Sequence, residues 1–126
     1  MSVSDQINEM LMPYNVQVYF TKESSSDFKS YTKDVQERIA AFIIKRGMKG
    51  PLLKPNGVGQ SLRNELKGFT KIKPKHLGLR IIYRPVLQDK MIRMEIIAIG
   101  PRDKEKVYQL AAKRLVSFYQ QMNDMK

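Results

Sequence analysis

The chain of 126 residues has no cysteine and a single histidine, His76. The first absence excludes a disulfide scaffold, a thiol nucleophile, a thiolate zinc site and an iron–sulfur cluster. The second excludes a two-histidine acid–base pair and any multi-histidine metal cage. Acids are few: 12 Asp and Glu stand against 23 Lys and Arg, a net charge of +11. Glu65, Asp89, Glu95 and Asp103 fall on separate predicted elements and show no metal-ligand spacing. The phosphate-cradling patterns GxGxxG and GxxxxGKS/T are missing, as is the GxSxG serine elbow. No run approaches the ~20 apolar residues of a membrane-spanning helix. Residues 1–12 carry Asp5 and Glu9 and hold no apolar segment of signal-peptide length, so a soluble cytoplasmic protein is expected.

What is present is a foldable composition with an uneven charge. Hydrophobic residues make up 42% of the chain, enough for a core without covalent staples. At ~100–200 residues per domain, one domain over 1–126 is expected. Residues 1–14 form an N-terminal extension to it, and the Gly/Pro-rich stretch 47–62 is an internal connection. Residues 1–63 carry a net +3 and residues 64–126 a net +8. Between Lys67 and Arg84 lie Lys67, Lys71, Lys73, Lys75, Arg80 and Arg84, and no acid. Ordinary surfaces mix both signs, so this segment points to an anionic partner. A solvated sheet face is the competing reading.

Periodicity supplies the elements. Asp5–Met12 reads as a short helix ended by Pro13. Val16–Thr21 alternates Val16, Val18 and Phe20 against Gln17 and Tyr19, the signature of a strand. Ser24, Ser25, Ser26 and Asp27 offer N-caps for a helix presenting Phe28 and Tyr31. Asp34–Glu37 has capping-box spacing and opens a helix with Val35, Ile39, Phe42 and Ile43 on one face, stopped by Gly47 and Gly50-Pro51. Phe69–Lys75 then places Lys71, Lys73 and Lys75 on one strand face, with Pro74 limiting the pairing. Leu79–Pro85 and Met91–Ile99 follow as strands after turns at Lys75–Gly78 and Gln88–Lys90. Asp103 is the expected cap of a last helix with the stripe Val107, Leu110, Ala111, Leu115, Phe118 and Met122. The order β-α-α-β-β-β-α predicts an α+β fold, an antiparallel sheet with helices on one face. Met10, Met12, Met91, Met94 and Met122 read as core or partner-surface filler.

The chemistry-bearing residues cluster in this second half. If the first two strands of the meander pair, the lysine ladder meets Arg80 and Arg84 across the hairpin. Like charges directly opposite each other destabilise a sheet unless an anion neutralises them. Arg102 stands before the expected cap of the last helix, where free N–H groups and the dipole favour a phosphate. Tyr108 lies about a turn and a half further on. Taken singly, Arg102 also fits a loop arginine in water and Tyr108 a core aromatic. His76 is expected in a turn, a poor place for acid–base work.

Four segments occur in order: Leu66-Lys67-Gly68; Gly78-Leu79-Arg80-Ile81-Ile82-Tyr83-Arg84; Ile99-Gly100-Pro101-Arg102-Asp103; and Val107-Tyr108 with Ala112-Lys113-Arg114-Leu115. Together they resemble the RelE/ParE superfamily of type II toxin–antitoxin toxins, and within it the RelE-like mRNA endonucleases, over about Val16 to Leu115. The resemblance implies a helical hairpin packed on an antiparallel sheet, and a ribosome-dependent endoribonuclease that uses no metal and no small-molecule cofactor. It implies a catalytic set of Lys71, Lys73, Arg80, Arg102 and Tyr108. Lys67, Lys75 and Arg84 would bind RNA phosphates, Lys75 also being the substitute should the lysine register shift. The stretch from Gly68 to Lys71 is shorter than in the best-known relatives. The implied partners are mRNA, the ribosome and a small, acidic antitoxin from a neighbouring gene, with no membrane.

Such a set suits RNA. The 2′-hydroxyl supplies the nucleophile, clustered cations stabilise the phosphorane charge and favour a neutral lysine as base, and paired arginines grip the phosphate. Two other functions fit the same fold: a ParE-like DNA gyrase inhibitor, and a basic nucleic-acid-binding module without chemistry.

Overall fold

A computed structural model describes residues 2–125; the two ends of the expected domain, residues 1 and 126, lie outside the described residues. The first helix, α1 (Val3–Leu11), starts at a capping box in which Ser2 and Asp5 exchange side-chain bonds with each other's N–H. Pro13 lies in a 3₁₀ turn, and Asn15, at a left-handed φ of 57°, turns the chain into strand β1 (Val16–Phe20). Helix α2 (Lys22–Lys29) is capped by Thr21, not by the serine run. Thr21 Oγ1 accepts the Ser24 N–H at 3.0 Å and Ser24 Oγ accepts the Thr21 N–H at 2.9 Å. The box closes three to six residues earlier than expected because Thr21 is the first residue after the strand that can do so. Helix α3 (Lys33–Lys49) likewise begins at Thr32, two residues before Asp34, and runs through Gly47 to end at Gly50.

Gly47 continues the helix because Leu11 of α1 lies against it. A Cβ there would stand 2.7 Å from Leu11 Cδ2. The expected pair of α2 and α3 packs on the sheet in one core with α1. Helix α3 rests on α1 and strand β2, while α2 rests on β4 and β1. The N-terminal extension is part of the core, with Ile7 and Leu11 fully buried.

The remaining strands are β2 (Thr70–Ile72), β3 (Leu79–Gln88) and β4 (Met91–Pro101), in the sheet order β1-β4-β3-β2. β2–β3 and β3–β4 are antiparallel, as expected, but β1 runs parallel to β4. The sheet is mixed, because two helices and a long connection carry the chain across before it returns. β2 stops at Ile72, short of the expected Lys75, since Pro74 has no N–H to give to the ladder. β3 passes through Pro85 to Gln88, longer than expected, and a two-residue turn at Asp89-Lys90 joins it to β4. Between the pairs Ile82–Ala98 and Tyr83–Ile96, Ile97 is left over as a β-bulge.

Helices cover both faces of the sheet, not one. α1, α2 and α3 bury Ile7, Leu11, Phe28, Ile39 and Ile43 against Ile72, Ile81 and Met94 on one side. On the other, Val107, Ala111, Phe118 and Met122 pack on Ile82, Ile97 and Ala98. That stripe is the expected one, but it belongs to two helices, α4 (Lys106–Lys113) and α5 (Leu115–Asp124). They part at Arg114, whose guanidinium pairs with Asp27 at 2.6 and 2.9 Å and donates to the bulge carbonyl of Ile97 at 3.0 Å. Met94 and Met122 are core, whereas Met10, Met12 and Met91 are exposed. Among the described residues no helix is long and apolar enough to cross a membrane.

Candidate nucleic-acid interface

β2 is an edge strand, and its alternation aims Lys71 away from the α3 side, where Ile72 is buried. Lys71 Nζ stands 5.6 Å from the centroid of the Tyr108 ring, presented by α4. Lys71, Lys73 and Tyr108 line one cleft of about 620 Å3, together with Glu65, Glu105 and Gln109. Lys73 is exposed and lies just past the strand end. Lys75 does not reach this cleft. It lies on a second groove that opens toward α3.

Arg80 shares the sheet face of Lys71, since its neighbours Leu79 and Ile81 both enter the opposite core. It is half-buried, pairs with Gly100 on β4 and donates from Nη1 to the Leu79 carbonyl at 2.8 Å. Arg102 follows two residues after Gly100, and its backbone N–H donates to the Gly78 carbonyl at 3.2 Å. The two arginines thus occupy one end of the β3–β4 hairpin, and neither lines the Lys71–Tyr108 cleft. The expected cap at Asp103 is not formed. A 3₁₀ turn, Asp103–Glu105, precedes α4, and Lys104 and Glu105 adopt left-handed φ values of 51° and 58°. No side chain caps α4, which leaves its first-turn N–H groups without a side-chain partner, and the helix starts at Lys106, four residues past Arg102.

The expected opposition of like charges across the first hairpin is absent. Lys71 faces Ile82, and the ladder ends one pair later at Ile72–Ile81. Arg84 is committed elsewhere. It binds buried Glu95 through Nε at 2.8 Å and Nη2 at 2.7 Å, and lies 5.3 and 4.9 Å over the rings of Phe118 and Tyr119. An arginine held by a buried carboxylate and stacked under α5 serves the core, which corrects its expected phosphate-binding role. Arg93 completes the group, donating to Glu95 at 2.8 Å and lying 3.8 Å over the Tyr19 ring. Lys67 is exposed beyond the 3₁₀ turn Asn64–Leu66 and lines neither the cleft nor the second groove. His76 sits exposed in the turn at a φ of 66°, as its position in the sequence predicts.

Three basic residues of α3 were not legible as part of the site. Arg46 donates to the Tyr83 hydroxyl at 3.1 Å and to the Lys71 carbonyl at 3.3 Å, fixing the edge strand to the helix. Tyr83 in turn donates to the Pro51 carbonyl at 2.7 Å, and burial raises its hydroxyl above the usual tyrosine range, with Arg46 pulling partly back. Lys45 and Lys49 flank Arg46 one turn apart on the same helix. Their i, i+4 spacing was visible in the sequence, but nothing local says that β2 lies beside them.

No family model matches the chain. A RelE-like toxin protein of Escherichia coli is 26% identical over 99 residues, covering 79% of this chain and 96% of that protein. Among solved structures, a mutant of the Escherichia coli toxin RelE in the free state aligns with a TM-score of 0.58 at 21% identity, over 78% of this chain and 95% of that one. The RelBE2 toxin–antitoxin complex of Mycobacterium tuberculosis aligns with a TM-score of 0.53 at 22% identity, over 68% and 88%. A YoeB/ParE toxin from Agrobacterium tumefaciens aligns at 0.52 and 19% identity, over 68% and 97%. The chain therefore has the fold of the RelE/ParE toxins, and the resemblance that its motifs carry to that superfamily extends along most of its length.

Proposed function

We propose that the chain is the toxin of a type II toxin–antitoxin pair, a metal-independent endoribonuclease that cuts mRNA on the ribosome in the cytoplasm. The observation that carries this reading is the cleft in which Lys71 stands against the Tyr108 ring with Lys73 beside it. These residues are 35 and more positions apart in the chain, and the fold makes them neighbours. Arg80 on the same sheet face and Arg102 at the end of the hairpin add the phosphate grip.

In the reaction, a lysine of the Lys71/Lys73 pair takes the proton of the RNA 2′-hydroxyl, and the 2′-oxygen attacks the adjacent phosphorus. The P–O5′ bond breaks, leaving a 2′,3′-cyclic phosphate, and the departing 5′-oxygen takes a proton from the ammonium of the other lysine to become the 5′-hydroxyl. The cations carry the charge that develops on the phosphorane oxygens. Tyr108 offers its face to a base while supporting the lysine. The exposed Lys67 and Lys75 extend the positive field to flanking phosphates. The partner that silences the toxin is an acidic antitoxin. A RelE mutant has been solved with an antitoxin RelBc peptide, at 20% identity to this chain, and the RelBE2 structure is itself a toxin–antitoxin complex.

The test is induced expression of the wild type and of Arg80→Ala, with mRNA 5′ ends mapped during growth arrest. Translation-dependent cuts that vanish in the variant are expected. Growth arrest with intact mRNA and altered DNA supercoiling would refute the nuclease and favour gyrase inhibition.

A further inference from the structure

The lysines of the cleft have a second side. Lys71 and Lys73 are also part of the wall of a groove of about 440 Å3 that runs between the edge strand β2 and helix α3. Its other charged residues are Lys75, Lys45, Arg46 and Lys49. All six are basic, the Lys71 ammonium turned to Tyr108 while its carbonyl faces Arg46, and no carboxylate lines this groove. The neighbouring cleft, by contrast, contains Glu65 and Glu105. A concave surface lined by charge of one sign repels itself, and is expected where an anion completes it.

The groove is also prearranged. Arg46 is held between the buried Tyr83 hydroxyl and the Lys71 carbonyl, so its guanidinium sits at a fixed point beside the strand. Lys45 and Lys49 are exposed on either side of it, and Lys73 and Lys75 are exposed on the facing chain. Cations in succession on both walls, with Gln60 and Thr70 as the polar groups between them, match a chain of phosphates better than a single anion.

We infer that the α3–β2 groove binds the phosphodiester backbone of single-stranded RNA as it enters or leaves the Lys71–Tyr108 cleft. The strand then wraps around the sheet edge, from Lys45, Arg46 and Lys49 on the α3 side to the Lys71 ammonium on the Tyr108 side. This rests on the reading of the cleft as an RNA site, but it concerns binding, not cleavage. It gives a role to α3, which the catalytic set leaves without one.

The test uses the full chain carrying Lys45→Gln and Lys49→Gln. Glutamine keeps helix propensity while removing both charges. A fluorescein-labelled single-stranded polyuridine RNA of about a dozen nucleotides is titrated at several salt concentrations, at site sizes usual for such grooves. Thermal melting verifies that the fold is retained, and Lys45→Arg/Lys49→Arg should bind like the wild type. The expected result is a fall of about 1.4 in the slope of log affinity against log salt, two charges at ~0.7 each on a single strand, with roughly tenfold weaker binding at low salt. An unchanged slope and affinity overturn the groove. Equal binding of a DNA duplex, with the same slope loss, overturns the assignment to single-stranded RNA. Slope loss in the variant together with mRNA left uncut by the wild type in cells supports the groove and refutes the nuclease reading, so the two fail separately.

Discussion

Replacing Glu95 by glutamine should be the most damaging near-isosteric change in this protein. Glu95 is fully buried and is the carboxylate for two arginines, Arg84 at 2.7 Å and Arg93 at 2.8 Å. Arg93 is only 2% exposed. Its guanidinium also lies over the Tyr19 ring and donates to the Met122 sulfur, and neither carries a countercharge. The amide keeps the shape but leaves a guanidinium buried without its anion. Breaking a buried pair from one side costs about 3–5 kcal/mol, a large share of the ~5–15 kcal/mol that holds a domain together. With a urea m-value of about 1–3 kcal/mol/M, the midpoint should drop by roughly 2 M. Arg84→Gln should cost about 1 kcal/mol, because that side chain keeps partial access to solvent. Arg93→Met combined with Glu95→Leu should recover most of the loss, since apolar replacement of a whole buried pair is often neutral. The assay is urea unfolding followed by circular dichroism at neutral pH. A midpoint shift below about 0.5 M for Glu95→Gln would refute the reasoning, as would a double variant as unstable as the single one.

Further changes test other parts of the structure. Leu11→Ala should destabilise by about 2–5 kcal/mol in the same assay, because Leu11 is fully buried between α1 and Gly47 of α3; a surface-like loss near zero would mean that the extension is not core. Glu23 accepts hydrogen bonds from Gln121 at 2.8 Å and Ser117 at 2.9 Å, and the Gln121 bond above all holds its carboxyl below the ordinary 4.5. A depressed folded-state value gives stability that is present above pH 4.5 and lost as pH falls through that lower value. Gln121→Ala should therefore flatten the acid side of a stability–pH curve, with little change in shape near neutrality. Tyr108→Ala should lower mRNA cleavage in cells by about 10–100-fold if the ring both supports Lys71 and stacks on a base, and unaltered cleavage would remove Tyr108 from the site.

The elements were legible because each carries its own local instruction. The β1 alternation, the Val35–Ile43 face, the turn at Lys75–Gly78 and the stripe from Val107 to Met122 depend on spacing alone. The caps were less so: Thr21 and Thr32 beat the serines and Asp34 because capping depends on where the preceding strand or turn ends, which spacing does not report. Arg84 shows the limit for the site. In sequence it belongs to the acid-free run, and only the partner strand reveals that Glu95 claims it.

By itself the sequence determined the chemistry open to this protein. Without cysteine, and with one histidine in a turn, any acid–base work falls to lysine, arginine, tyrosine or carboxylates, and the surplus of +11 favours anionic partners. It also determined the element order, since hydrophobic periodicity is a local property. The tertiary structure decided what depends on contacts between distant segments. It put β1 parallel to β4, placed helices on both faces, took α1 into the core and split the last helix at Arg114 to reach Asp27. It also brought Tyr108 to Lys71, and Lys45, Arg46 and Lys49 to the far side of the same strand. Charge repulsion within one segment can be read along a chain, but which cations share a groove is set by packing, and packing is a property of the whole fold.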